Sequence, residues 1–145
     1  MSNKMETDEA KYVMEETWKN TRGLHFWCEA RPISKRSKDK IKKELFTKKI
    51  QERVKELQPF RNHLTTYYPE GDLELKLIFG INRKRCIGKR NDIDNLIKHT
   101  LDSLNGILFK DDSQIKKVSA TKFLLNQNRP ECTGINIAKF KMNTN

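Results

Sequence analysis

The sequence predicts a single α+β domain, and three features predict it. A length of 145 residues suits one compact domain whose core needs neither disulfides nor a structural metal. Leu73, Leu75, Leu77 and Phe79 alternate with Glu74, Lys76 and Ile78, close to the period of two expected of a strand with one buried face. Two other stretches, from Ser37 to Pro59 and from Asp92 to Asn105, carry apolar residues at helical spacing. Strand-like runs precede, separate and follow them, which gives a small sheet with two main helices.

The elements follow in order. Residues 1–20 are polar and mildly acidic, and Tyr12, Val13, Met14 and Trp18 are too few to define an amphipathic face. They are read as an extension, with the domain proper at 21–145. Leu24 to Ala30 is aromatic-rich with polar residues interleaved and ends at Arg31-Pro32, where proline forces extended or turn geometry. A basic loop, Ser34-Lys35-Arg36-Ser37-Lys38, comes next. Ile41, Leu45, Ile50, Val54 and Leu57 then mark a helix that Pro59 stops. Asn62 to Gly71 reads as a loop before the strand Leu73–Phe79. The segment Ile81 to Arg90 is basic, contains Gly88 and has no regular period, so it is expected to be a charged loop. A second helix from Asp92 ends at Asn105-Gly106, where glycine suits the C-terminal cap. Ile115–Leu125 and Gly134–Phe140 are expected to close the fold as a β-hairpin across Asn126-Gln127-Asn128-Arg129-Pro130.

Charge narrows the function. Thirty Lys and Arg against nineteen Asp and Glu give a formal net charge of +11, large for this length and suited to a polyanionic partner, with nucleic acid the first candidate. The first twenty residues hold three lysines and five acids, so the excess lies in the remainder. Excess lysine alone also serves solubility, so charge does not decide the matter. Cys28, Cys86 and Cys132 are odd in number and widely spaced, and His25, His63 and His99 are scattered, which argues against a zinc site or a disulfide framework. No apolar run is long enough for a membrane span and no secretory signal opens the chain, so a soluble, cytoplasmic protein with no membrane partner is expected.

The chemistry concentrates between Asn91 and Gln114. In helical projection Ile93, Leu96, Ile97, Leu101 and Leu104 share one face, and Asp94, Lys98, Asp102 and Asn105 lie in one polar arc. An ion-pair ladder would explain Asp94, Lys98 and Asp102, and an N-cap would explain Asp92. Together with Asp111 and Asp112, however, these acids accumulate in a chain otherwise suited to an anion. Carboxylates repel phosphate unless a cation lies between them. Mg²⁺ takes oxygen ligands and commonly binds through one or two carboxylates plus phosphate oxygens. It can activate water and stabilise the leaving oxygen in phosphodiester hydrolysis. Lys98, one turn from Asp94, is placed to stabilise the same charge.

The pattern Asp92-x-Asp94-Asn95-Leu96-x-Lys98-x-x-x-Asp102-x-Leu104-Asn105, followed by Asp111-Asp112-x-Gln114-Ile115, resembles the signature of RusA-type crossover junction endodeoxyribonucleases, the Holliday junction resolvases of phages, prophages and bacteria. The resemblance is close over residues 92–115 and extends to the arrangement of the flanking elements. It implies a mixed sheet in an α+β fold, a homodimer, dependence on Mg²⁺ with Mn²⁺ substituting, and paired symmetrical incision of four-way DNA junctions. Carried across, it implies metal ligands at Asp92, Asp94 and Asp112 and an essential lysine at Lys98. Lys35, Arg36, Arg83, Lys84, Arg85, Lys89 and Arg90 are the expected DNA contacts. Two rivals remain: a basic DNA-binding module without catalysis, and a nuclease of the same fold acting on flaps or forks.

Overall fold

The computed structural model describes residues 15–16, 18, 23–32, 40–57, 68, 70–82, 92–125 and 130–141. Strand β1 (Leu24–Cys28) is followed by helix α1 (Lys40–Leu57), strand β2 (Leu73–Asn82), helix α2 (Ile93–Leu104), a single 3-10 turn (Asp112–Gln114), and strands β3 (Ile115–Leu125) and β4 (Cys132–Lys139). The predicted α+β class holds: two helices lie against a mixed four-stranded sheet of order β1-β4-β2-β3. Among the described residues no helix is long and apolar enough to cross a membrane.

Strand periodicity builds the core. Leu73, Leu75, Leu77, Phe79 and Ile81 project from one face of β2, and Phe26, Cys28, Ile135 and Ile137 from neighbouring strands meet the same helices there. From α1 that core receives Phe46, Ile50 and Val54, spaced by four, and from α2 it receives Leu96 and Leu104. Two expectations fail here. Ile41 is 80% exposed and Leu45 is 47% exposed, whereas Phe46, absent from the expected stripe, is buried. Positions 46, 50 and 54 keep a strict four-residue step that 41, 45 and 50 do not, and only the former run faces the sheet. On α2, Ile93 is likewise exposed, because the helix begins beyond the cover of the core.

The expected closing hairpin is also not formed. β3 pairs in parallel with β2, from Leu73↔Ile115 to Asn82↔Leu125. β4 pairs antiparallel with the other edge of β2 and with β1. β3 and β4 therefore flank β2 rather than each other, and the two strands lie two strand spacings apart, roughly 10 Å, far more than a tight turn crosses. Burial explains the order. β4 is buried along seven of its eight residues and takes an interior place. β3 alternates half-buried and exposed positions, including Lys116 and Lys117, and suits an edge. Gly80 permits the crossing: a Cβ there would lie 2.5 Å from Cys132 Sγ and 3.1 Å from Leu125 Cδ1, the start of β4 and the end of β3.

The opposite face of the sheet carries a smaller cluster. Trp18 is 3% exposed and packs with Ile78 and the half-buried Trp27, and its ring is 6.5 Å from that of His25. The extension thus supplies a core residue.

Candidate active site

α2 is positioned by its apolar side. Leu96, Thr100 and Leu104 are buried, Ile97 and Leu101 are half-buried, and Thr100 Oγ1 donates to the Leu96 carbonyl at 2.7 Å, which lets a polar residue enter the core. That anchoring turns Asp94 and Lys98 outward. Asp92 occupies the N-cap, with extended backbone (φ −64°, ψ 148°), and its carbonyl accepts from Leu96 N at 3.0 Å. Its carboxylate makes no cap hydrogen bond. The N-cap explanation therefore accounts for the position of Asp92 but leaves its side chain unused.

The ion-pair ladder also does not form. Among the described residues the side chains of Asp92, Asp94, Lys98 and Asp112 have no hydrogen bond or ion pair, and all four are exposed. Asp102 is different: it is half-buried and already engaged. Only Asp94 and Lys98 of the polar arc's charged groups are thus left to meet a ligand.

After α2, Asn105 is the C-cap and Gly106 takes φ +84°, a left-handed conformation that favours glycine, as expected at this position. Gly106 N donates to Phe109 O at 2.7 Å and turns the chain back. Asp111 and Asp112 follow, and they differ. The Asp111 carboxylate accepts from Ser113 Oγ and from Ser113 N at 3.4 Å, and Gln114 returns a bond to the Asp111 amide, which completes a capping box. The Ser113 hydroxyl holds the Asp111 carboxyl below the usual carboxylate range. Asp112, next along, faces solvent with no such partner among the described residues.

Among the described residues no three His, Cys, Asp or Glu side chains lie together so as to hold a metal ion. The chemistry of the donors nevertheless suits Mg²⁺. Asp92 and Asp94 are unpaired carboxylates two residues apart, enough for an ion whose remaining positions are water and phosphate oxygens. Lys35, Arg36, Arg83, Lys84, Arg85, Lys89 and Arg90 all lie outside the described residues. Their attachment points are described. Glu131 accepts from Arg31 Nε at 2.9 Å and from the Asn82 amide at 3.1 Å. That one carboxylate, barely exposed, joins the chain just before the Lys35-Arg36 stretch to the residue just before Arg83. Sequence reasoning misses it, because a lone glutamate beside a proline carries no local pattern.

Fold and site define an α+β domain of strongly basic character that displays unpaired carboxylates and a lysine on one helix. The model of the endodeoxyribonuclease RusA family matches residues 14–135, and the chain belongs to that family. The match begins ahead of Trp18, in keeping with the packing of that residue. Among curated proteins none matches the chain.

Proposed function

We propose that the protein is a Mg²⁺-dependent endonuclease that resolves four-way DNA junctions by paired, symmetrical phosphodiester hydrolysis, acting as a homodimer. Family membership supports the nuclease class. The observation that carries the reading further is the unspent carboxylate of Asp92 at the head of α2, beside an equally unpaired Asp94 and Lys98. An N-cap aspartate that makes no cap bond forgoes roughly 1 kcal/mol of helix stability, which a binding role explains and a structural role does not.

In this reading Asp92 and Asp94 hold the ion, Asp112, which is not gathered with them into one cluster among the described residues, is the third ligand the family resemblance implies, and Mn²⁺ substitutes for Mg²⁺. When bound, the metal supplies activation of water and neutralisation of charge on the scissile phosphate. Lys98, one turn from Asp94 on an exposed face, places a positive charge where negative charge grows in the transition state. The basic segments 34–38 and 83–90 hold the DNA backbone through phosphate contacts, which fix position without reading sequence.

A cleavage panel tests this: matched four-way junction, flap, fork and duplex, each with and without Mg²⁺. Cleavage of the four-way junction alone, only with Mg²⁺, is expected. Preference for flaps or forks would assign the fold to a different branched substrate. Cleavage without any divalent metal would remove the metal from the mechanism.

A further inference from the structure

We propose that Glu131 is a positioning residue for DNA binding: its carboxylate fastens the exit of β1 to the exit of β2, so that the basic stretches following those strands meet the DNA as one surface. The inference rests on the reading of segments 34–38 and 83–90 as DNA contacts.

The sheet order makes the bridge possible. β1 and β2 both run antiparallel to β4 and lie on either side of it, so both end where β4 begins. Their exits are two strand spacings apart, roughly 10 Å. The ladders of β4 end there, with Cys28↔Thr133 on one side and Gly80↔Cys132 on the other. Beyond them, side chains at the head of β4 continue the attachment. Thr133 Oγ1 donates to the Ala30 carbonyl at 2.7 Å. Glu131, the residue before β4, reaches both ways: its Oε1 accepts from Arg31 Nε at 2.9 Å, and its Oε2 accepts from the Asn82 amide at 3.1 Å. Arg31 also donates through Nη1 to the Pro32 carbonyl at 3.4 Å.

The two fastened points sit at the roots of the basic stretches. Asn82 is bonded to Arg83, and Arg31 precedes Lys35 by four residues. If charge alone counted, a carboxylate at this place would oppose DNA binding, because it repels phosphate. The Glu131 side chain is 13% exposed, so salt screens it less than a surface charge. Two phosphate-holding segments whose roots are fixed relative to each other lose less freedom on binding than two independent ones. Positioning therefore predicts that loss of the Glu131 bridge weakens DNA binding, whereas charge alone predicts that loss of the carboxylate tightens it.

The test measures binding of the full chain to a fluorescent four-way junction in EDTA as a function of salt, with thermal melting alongside. Glu131→Gln removes the charge and sets an amide N–H₂ against one of the two donors. Glu131→Asp keeps the charge and shortens the reach by one methylene. Both are expected to weaken junction affinity about fivefold while the proteins remain folded, with the salt slope unchanged, because the phosphate contacts lose their fixed placement but not their number. Unchanged affinity of Glu131→Asp, or unchanged or tighter binding by Glu131→Gln, at a temperature where both are folded would confine Glu131 to sheet stability and overturn the proposal. Should Glu131→Gln fail to fold, Glu131→Asp decides alone. A reference variant combining Lys35→Gln, Arg36→Gln, Arg83→Gln and Lys84→Gln tests the underlying reading, and it should weaken binding and flatten the salt slope. If its slope matches wild type, the reading of those segments as DNA contacts falls. If it flattens the slope while the Glu131 variants bind as wild type does, only the role of Glu131 falls.

Discussion

Asp111 and Asp112 are neighbours with opposite surroundings, and substitution should separate them. On the proposed function, Asp112→Asn is expected to abolish cleavage and leave junction binding intact or tighter, because it would remove a metal ligand and a charge that repels phosphate. Asp111→Asn should retain cleavage at moderate temperature but melt below wild type at neutral pH. The folded pKa of Asp111 is depressed, so its contribution is present above the usual carboxylate range and is lost as pH falls through the lowered value. Melting temperatures of wild type and Asp111→Asn should therefore converge at low pH. Lys98→Ala should reduce the turnover number far more than junction affinity, since one phosphate contact among many is a small part of binding. Equal losses in both would make Lys98 a docking residue only. The two buried thiols give a further test. Burial pushes Cys28 and Cys132 up to about 12, so both should resist alkylation at pH 8 until the protein unfolds, as peptide mass spectrometry would show. The sign for stability is the reverse of that for Asp111: a raised pKa leaves the full contribution below pH 9 and loses it between 9 and 12.

At the scale of elements, packing assigns very different weights to residues that look alike in sequence. Ile50→Ala in α1 should cost roughly 2–5 kcal/mol, whereas Ile41→Ala, on the exposed part of the same helix, should stay within about 0.5 kcal/mol. Trp18→Ala should cost roughly 3–5 kcal/mol by opening the cluster on the second sheet face. Denaturant melts of the three variants check all of these. The contrast explains which features are legible in the sequence. Local patterning, periodicity together with the proline and glycine stop signals, places β2, both helices and the Gly106 cap, because each rule involved is local. It misjudges Ile41, Leu45 and Ile93, since the length of helix that the sheet covers is set by distant residues. Trp18 escapes it because its partners, Ile78 and Trp27, lie on separate strands. A β3–β4 hairpin follows from nearness in sequence, while the actual order follows from which strands can be buried on both faces. In the site, Asp92, Asp94 and Lys98 are legible as the head and polar arc of one helix. The division of labour between Asp111 and Asp112 is not, because it depends on which of the two carboxylates Ser113 turns back to meet.

At the scale of the whole molecule, the proposed function reconciles the +11 net charge with the acidic helix head: a polyanion would be held through a divalent cation. One chain offers one such helix head, enough for one phosphodiester at a time, whereas a four-way junction presents strands related by approximate two-fold symmetry. A C₂ homodimer matches that geometry. Mixed dimers of wild type and Asp94→Asn should therefore nick rather than resolve. The measurement that tests paired incision most directly uses a supercoiled plasmid that extrudes a cruciform. Two cuts within one binding event release linear DNA, while a single cut relaxes the plasmid and the cruciform is reabsorbed before a second. The account predicts linear product from wild type with Mg²⁺, and a shift to nicked circles when Asp94→Asn subunits are mixed in. Nicked circles alone from wild type, or full activity at concentrations where the protein sediments as a monomer, would contradict it.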